Sequence, residues 1–297
     1  MWRMRAATLV AVLFLTFAVP APAHAWGFSA HEFIMDRAIA LLPPELRPFF
    51  EKNRTEVVYR AIDPDLWRTV GFFEEPPNHF IDIDAYGAYP FAALPRDYDA
   101  AVLKFGKDRV VQEGLLPWRT EEEFANLRLD FEAYNRGGEF AAHDIVLFSG
   151  VLAHYISDAC VPLHAVVNYD GRLTGQSGVH SRWETTMFER YQKQLTIAPK
   201  SIAPITSARD FAFDRVLEGA QLVPALLKAD LDAIGSRDVY DDAYFDAFFR
   251  TQRSVIEERL NAAIAGVAAA ITGAWEAAGK PAVPVNVATP PQRRRRP

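Results

Sequence analysis

The chain of 297 residues contains a single cysteine, Cys160. No intrachain disulfide is possible, so a packed core or a bound metal must hold the fold together. Cys160 lies in an apolar stretch and reads as a small buried hydrophobe, not as a ligand or nucleophile. An excess of basic charge is also missing. A formal net charge of −6 argues against a surface that coats nucleic acid, though not against an enzyme that admits a phosphate at one local site. No block alternates apolar and polar residues over a convincing strand length, and no internal repeat is evident.

What is present is apolar and helical. Hydrophobic residues make up 50% of the chain, enough for one large core or two modest ones. The cationic start "MWRMR" is followed by the apolar run "AATLVAVLFLTFAV", too short to span a bilayer comfortably, and by "APAHA" with an A-x-A cleavage pattern. Residues 1–25 therefore read as a secretory signal peptide rather than an uncleaved anchor. Cleavage after Ala25 implies a secreted or periplasmic protein whose first residue is Trp26.

"AHEFIMDRAIALLP" has apolar residues at helical spacing and stops at Pro43-Pro44. "TEEEFANLRLDFEAYNRGG" predicts a helix that starts at Thr120 and ends at Gly137-Gly138. "FAAHDIVLFSGVLAHYISDACV" is apolar around much of its circumference, as a central helix covered by neighbours would be. "SRWETTMFERYQKQL" and "YFDAFFRTQRSVIEERLNAAIAGVAAAITGAWEAAG" continue the pattern. The fold class is all-α, a single multi-helix domain over residues 26–279. "KPAVPVNVATPPQRRRRP" (280–297) reads as a disordered Pro/Arg-rich tail, solvated or lying against a membrane surface.

Within the apolar "GVLAHYISDACVPLH", His154 and Asp158 are four residues apart and leave one helix face, and His164 follows just past Pro162. "HSRWE" repeats the spacing with His180 and Glu184; upstream, "AIDPDLWR" offers Asp63, Asp65 and Arg68, and "NHFIDID" offers His79. Taken singly, these are satisfied core histidines or surface ion pairs as readily as ligands. Taken together they read differently. The chain has seven histidines, of which His24 lies in the signal and His143 at the polar start of the long helix. The other five, His31, His79, His154, His164 and His180, come with several acids, and Asp158 in an apolar helix needs a cation or several hydrogen bonds. Imidazole and carboxylate without thiolate suit zinc, and the number of donors suits a polynuclear cluster.

These residues resemble the superfamily of zinc-dependent phospholipase C and P1 nuclease. The motif H-x3-D-x5-H is present as His154, Asp158 and His164, and H-x3-E as His180 and Glu184. "WGFSAH" places Trp26 first and His31 five residues on, and Asp65 and His79 match the remaining family positions. The resemblance covers residues 26–184; the C-terminal hundred residues match only in being helical.

The resemblance implies an all-α exported enzyme with three zinc ions. Carried over, one zinc takes Asp65, His79, His154 and Asp158, and a second takes His164, His180 and Glu184. The third takes the terminal amine and carbonyl of Trp26 with His31 and Asp158, so that Asp158 bridges two metals. Asp65 is preferred to Asp63 because its distance from His79 fits the family. A water activated between paired zinc ions would attack phosphorus in line. Asp65, Arg68 and Asp158 would carry catalysis, Arg68 by contacting the phosphate or else as a plain surface salt bridge. Asp82 would orient His79 or touch substrate, and Phe80 stands where the nuclease branch stacks a base.

The implied reaction is hydrolysis of a phosphoric diester. "GVHSRWE", Glu184 and the absence of disulfides lean to the bacterial phospholipase C branch, with a phospholipid headgroup as substrate. The Trp26–His31 spacing, Arg68, "PLH" and Phe80 favour the alternative, a single-strand nuclease or 3′-nucleotidase. Phe72, Phe73, Tyr86, Tyr89 and Phe91 leave peripheral membrane contact open, although most of them are expected in the core. No protein partner is implied. Outside enzymes, the alternative is an exported zinc-binding protein that keeps the cluster for structure.

Overall fold

The structure, a computed structural model, describes residues 26–138, 140–283 and 285. The expected signal peptide and the arginine run lie outside the described residues. Within them every regular element is helical and there is no strand, as the all-α expectation has it.

The first four helices are α1 (Phe28–Ile39), α2 (Arg47–Lys52), α3 (Arg54–Arg60) and α4 (Asp63–Thr69). A long irregular stretch with two short 3-10 turns leads to α5 (Tyr98–Phe105), α6 (Lys107–Gln112), α7 (Leu116–Asn135) and α8 (Ala141–Asp158). Then come α9 (Val179–Ser181), α10 (Met187–Tyr191), α11 (Ala208–Ile234) and α12 (Asp242–Ala277). Side-chain caps start several of these. Asp97 accepts from Ala100 N at 2.9 Å, Ser207 from Asp210 N at 3.2 Å and Asp241 from Tyr244 N at 2.9 Å.

The predicted start of α7 at Thr120 is corrected to Leu116. Pro117 sits in the first turn, where its missing N–H costs nothing, and the Thr120 hydroxyl donates back to Leu116 O at 2.7 Å inside the helix.

The centre of the molecule is α8, buried without a break from Ser149 to Asp158. It packs against α1, α3, α4, α7 and α12, while α11 and α12 close over α7. Gly150 makes the α3 approach possible, because a Cβ there would lie 2.4 Å from Arg60 Cβ and 2.9 Å from Val57 O. Helix α12 is long and apolar enough to cross a membrane, yet 78% of its apolar window is covered by the fold. Packing also continues past Gly279: Trp275 Nε1 donates to Pro281 O at 2.8 Å, and Val283 is buried.

Candidate metal centre

Several segments bring the site together around the C-terminal end of α8. His154 and Asp158 leave one face of that helix, as their spacing requires. The chain then turns at Pro162, and the following 3-10 turn carries His164 back toward the same face. His180 and Glu184 come from α9 and the π turn that follows it over Arg182–Thr186. From the N-terminal side, α1 supplies His31 and α4 supplies Asp65, and the 3-10 turn Pro76–His79 supplies His79.

All of these side chains are buried, Asp65, His154, Asp158 and Glu184 completely. Three groups have ligand atoms mutually within 4.8 Å: His31 with Asp65 and His154; His79 with His154 and Asp158; and His164 with His180 and Glu184. The last is the trio that the family resemblance implies for the second zinc. The first cuts across the implied partition by joining His31 to Asp65.

Asp158 touches both sides. Its Oδ2 lies 3.1 Å from His79 Nδ1 and 3.2 Å from His154 Nε2, and its Oδ1 lies 3.4 Å from His31 Nε2 and 3.7 Å from His164 Nδ1. Trp26 is fully buried beside Trp183, with its backbone N 3.1 Å from Glu184 Oε2 and its indole N–H donating to Ser157 O. Asp63 is not part of the cluster; it pairs with Arg60 at 3.3 Å.

Eight buried polar atoms in this cluster have no hydrogen-bond partner among the described residues. They are both ring nitrogens of His31 and of His180, with Asp65 Oδ2, Asp158 Oδ1, His164 Nδ1 and Glu184 Oε1. Native interiors rarely leave so many such atoms together. Imidazole nitrogens and carboxylate oxygens converging without a thiolate fit zinc. One neighbour already sets a ring: His154 Nδ1 donates to Ala61 O at 2.8 Å, which leaves Nε2 for the cluster.

Burial dominates the electrostatics of the set. Burial pushes the Glu184 carboxyl up to about 8, against the pull of the neighbouring His164 imidazole, and burial lowers His180 to about 4. Burial also works against Asp158, but the charges of His154 and His164 outweigh it and hold that carboxyl well below its ordinary value.

A pocket opens over the cluster, with Arg68, His79, Phe80, Asp82, His164 and His180 among its lining residues. Arg68 Nη2 donates to Asp65 Oδ1 at 2.9 Å, so the guanidinium both pairs with a cluster acid and faces the pocket. Burial, Asp84 and Glu113 push the Asp82 carboxyl up to about 7. Phe80 is held from behind, where Leu116 N donates to its carbonyl and Gly114, at φ +99°, leaves room that a Cβ would fill at 2.2 Å from Phe80 O.

Of the five loop aromatics, Tyr86 is buried and Phe91 packs against the core, whereas Phe72, Phe73 and Tyr89 are exposed. One residue escapes sequence reading altogether. The side chain facing His79 Nε2 is not Asp82 but Glu75, whose Oε1 lies 3.3 Å away without the alignment of a hydrogen bond. The only signal that could have found it is its i, i+4 spacing from His79.

Among solved structures, the chain is similar to the alpha-toxin of an avian strain of Clostridium perfringens, at 13% identity and a TM-score of 0.49. It is also similar to the alpha toxin of Clostridium absonum, at 18% identity and a TM-score of 0.45. Either match covers 86% of this chain, which spans 65% of the toxin's length. No curated protein matches. The family model described as zinc dependent phospholipase C matches residues 30–220, the segment that holds every clustered side chain from His31 to Glu184, and the chain belongs to that zinc-dependent enzyme family.

Proposed function

We propose that this chain is an exported zinc-dependent phosphoric-diester hydrolase of the phospholipase C type, acting on a phospholipid headgroup. The observation that carries the proposal is the buried set of unpartnered imidazole and carboxylate atoms directly beneath a pocket lined by Arg68. Three zinc ions would be held by Trp26, His31, Asp65, His79, His154, Asp158, His164, His180 and Glu184, with Asp158 shared between sites. When bound, zinc supplies Lewis acidity toward a phosphoryl oxygen and a nucleophilic water near neutral pH.

The chain's own residues do the rest. Asp65 holds Arg68 through one oxygen, which aims a fixed positive charge at the pocket where a phosphoryl group carries negative charge. Ala61 O fixes the His154 tautomer. Leu163 and Phe80 give the pocket an apolar wall that excludes water from a bound ester.

Phosphorus NMR tests this on zinc-loaded protein starting at Trp26, given phosphatidylcholine micelles and single-stranded RNA in one tube. Phosphocholine should appear first. Nucleoside 5′-phosphates appearing first would favour the second reading, a P1-type nuclease, which rests on Phe80 standing in the pocket beside Arg68. A protein that retains zinc and moves neither signal would leave the cluster a structural one.

A further inference from the structure

Behind His79, on the side away from the cluster, two donors meet one buried carboxylate that also faces the imidazole. Glu75 accepts from the Tyr155 hydroxyl at Oε1 and from Asn78 Nδ2 at Oε2, 3.2 Å away, and the same Oε1 faces His79 Nε2 at 3.3 Å. Tyr155 follows His154 on α8, so one helix reaches the metal cluster with one residue and backs it with the next. The His79 ring lies edge-on between them, with ring centres 4.9 Å from His154 and 5.8 Å from Tyr155.

The support continues outward. The Arg119 guanidinium stands 5.5 Å from the Tyr155 ring centre and pairs with the buried Glu123 at 2.7 Å.

We infer that Glu75, held in place by Tyr155 and Asn78, is a positioning residue that keeps the proton of His79 on Nε2 and turns Nδ1 toward the cluster. On the other face of the ring, His79 Nδ1 lies 3.0 Å from His154 Nε2 and 3.1 Å from Asp158 Oδ2. An imidazole offers one nitrogen to a metal while the other donates outward, and a buried carboxylate in the outward position fixes which is which. A structural ion pair would need neither the convergence of Tyr155 and Asn78 on the same acid nor its place opposite the coordinating nitrogen. The inference rests on the zinc reading of the cluster.

The test uses zinc-loaded full chains carrying Glu75→Gln and Tyr155→Phe, which change one donor or acceptor each and keep side-chain shape. Zinc affinity is read by chelator competition, and the His79 tautomer by long-range proton–nitrogen correlation. Glu75→Gln should weaken one zinc by about 10–100-fold and remove the single Nε2–H tautomer, with Tyr155→Phe moving both in the same direction to a smaller extent. Wild-type zinc affinity together with an unchanged His79 tautomer in both variants, even with lowered melting temperatures, would overturn the inference and leave the metal reading intact. A wild-type chain that takes up no zinc would overturn both.

Discussion

Asp158 carries the largest share of the site because both of its oxygens face histidines and neither faces solvent. Replacing it with Asn keeps the shape and removes the charge that offsets the cations. Asp158→Asn should therefore lose at least one equivalent of zinc on dialysis and reduce diester hydrolysis by more than about 100-fold, beyond what loss of an outer partner costs. Metal analysis and a chromogenic phosphodiester assay check both. Arg68→Ala should separate binding from chemistry. Its zinc content should match wild type, while kcat falls by about 10²–10³, the usual loss when one charge-stabilising donor is removed from a reacting centre.

At this scale the sequence reads well where clustered side chains share a regular element. His154 with Asp158, and His180 with Glu184, are visible as i, i+4 pairs. It reads poorly where a contact crosses the fold. Ala61 O reaches His154 over 93 positions, and Tyr155 reaches Glu75 over 80, and neither separation has a pattern to detect.

At the scale of the element, the helices are placed by close approach as much as by pattern. Gly150 lies one turn before His154, and the α3 backbone fills the space where its side chain would be. Gly150→Ala should cost about 1–3 kcal/mol by overpacking. By moving α3 and the following Ala61 O away from His154 it should also loosen zinc; denaturant unfolding and metal titration measure the two effects.

Asp130 on α7 gives a pH signature outside the cluster. Burial, with the charges of Asp144 on α8 and Glu123 on its own helix, raises its carboxyl to about 7. The folded state then holds a proton that the unfolded state releases near pH 4, so stability falls as pH rises from about 4 to about 7. Asp130→Asn should unfold like wild type at pH 3.5 and be more stable at pH 8, by on the order of 1 kcal/mol after allowance for solvent screening at this half-buried site. Thermal melts at the two pH values decide it. Helices α1, α8 and α12 follow hydrophobic spacing, but the start of α7 does not, and α11 is not singled out by it. Thr120 with its acidic followers imitates a cap, and only Pro117 reveals that the helix is already under way.

For the whole molecule, the absence of disulfides and the concentration of unpartnered buried groups at one place predict a large part for bound metal in stability. Chelation should lower the melting temperature, since each ion at a hundredfold excess over its Kd contributes about 2.7 kcal/mol. Calorimetry with and without chelator shows the shift, and zinc re-addition should reverse it. The all-α architecture was legible as a whole because a single apolar pattern recurs along the chain. The covering of α12 was not, because length and apolarity alone suit a membrane helix equally well.

If the chain is cut after Ala25, as the sequence leads one to expect, the placement of Trp26 would make the folded domain a gauge of that processing. The indole is clamped by Ser157 O and the Trp183 ring, and this fixes the backbone nitrogen beside Glu184. A cut one residue earlier would leave that nitrogen an amide and carry the free amine about 3.8 Å farther along the chain. A cut one residue later would discard the clamp. Chains beginning at Ala25, Trp26 and Gly27 should then differ in zinc stoichiometry while sharing one helical spectrum, and only the middle one should be fully active.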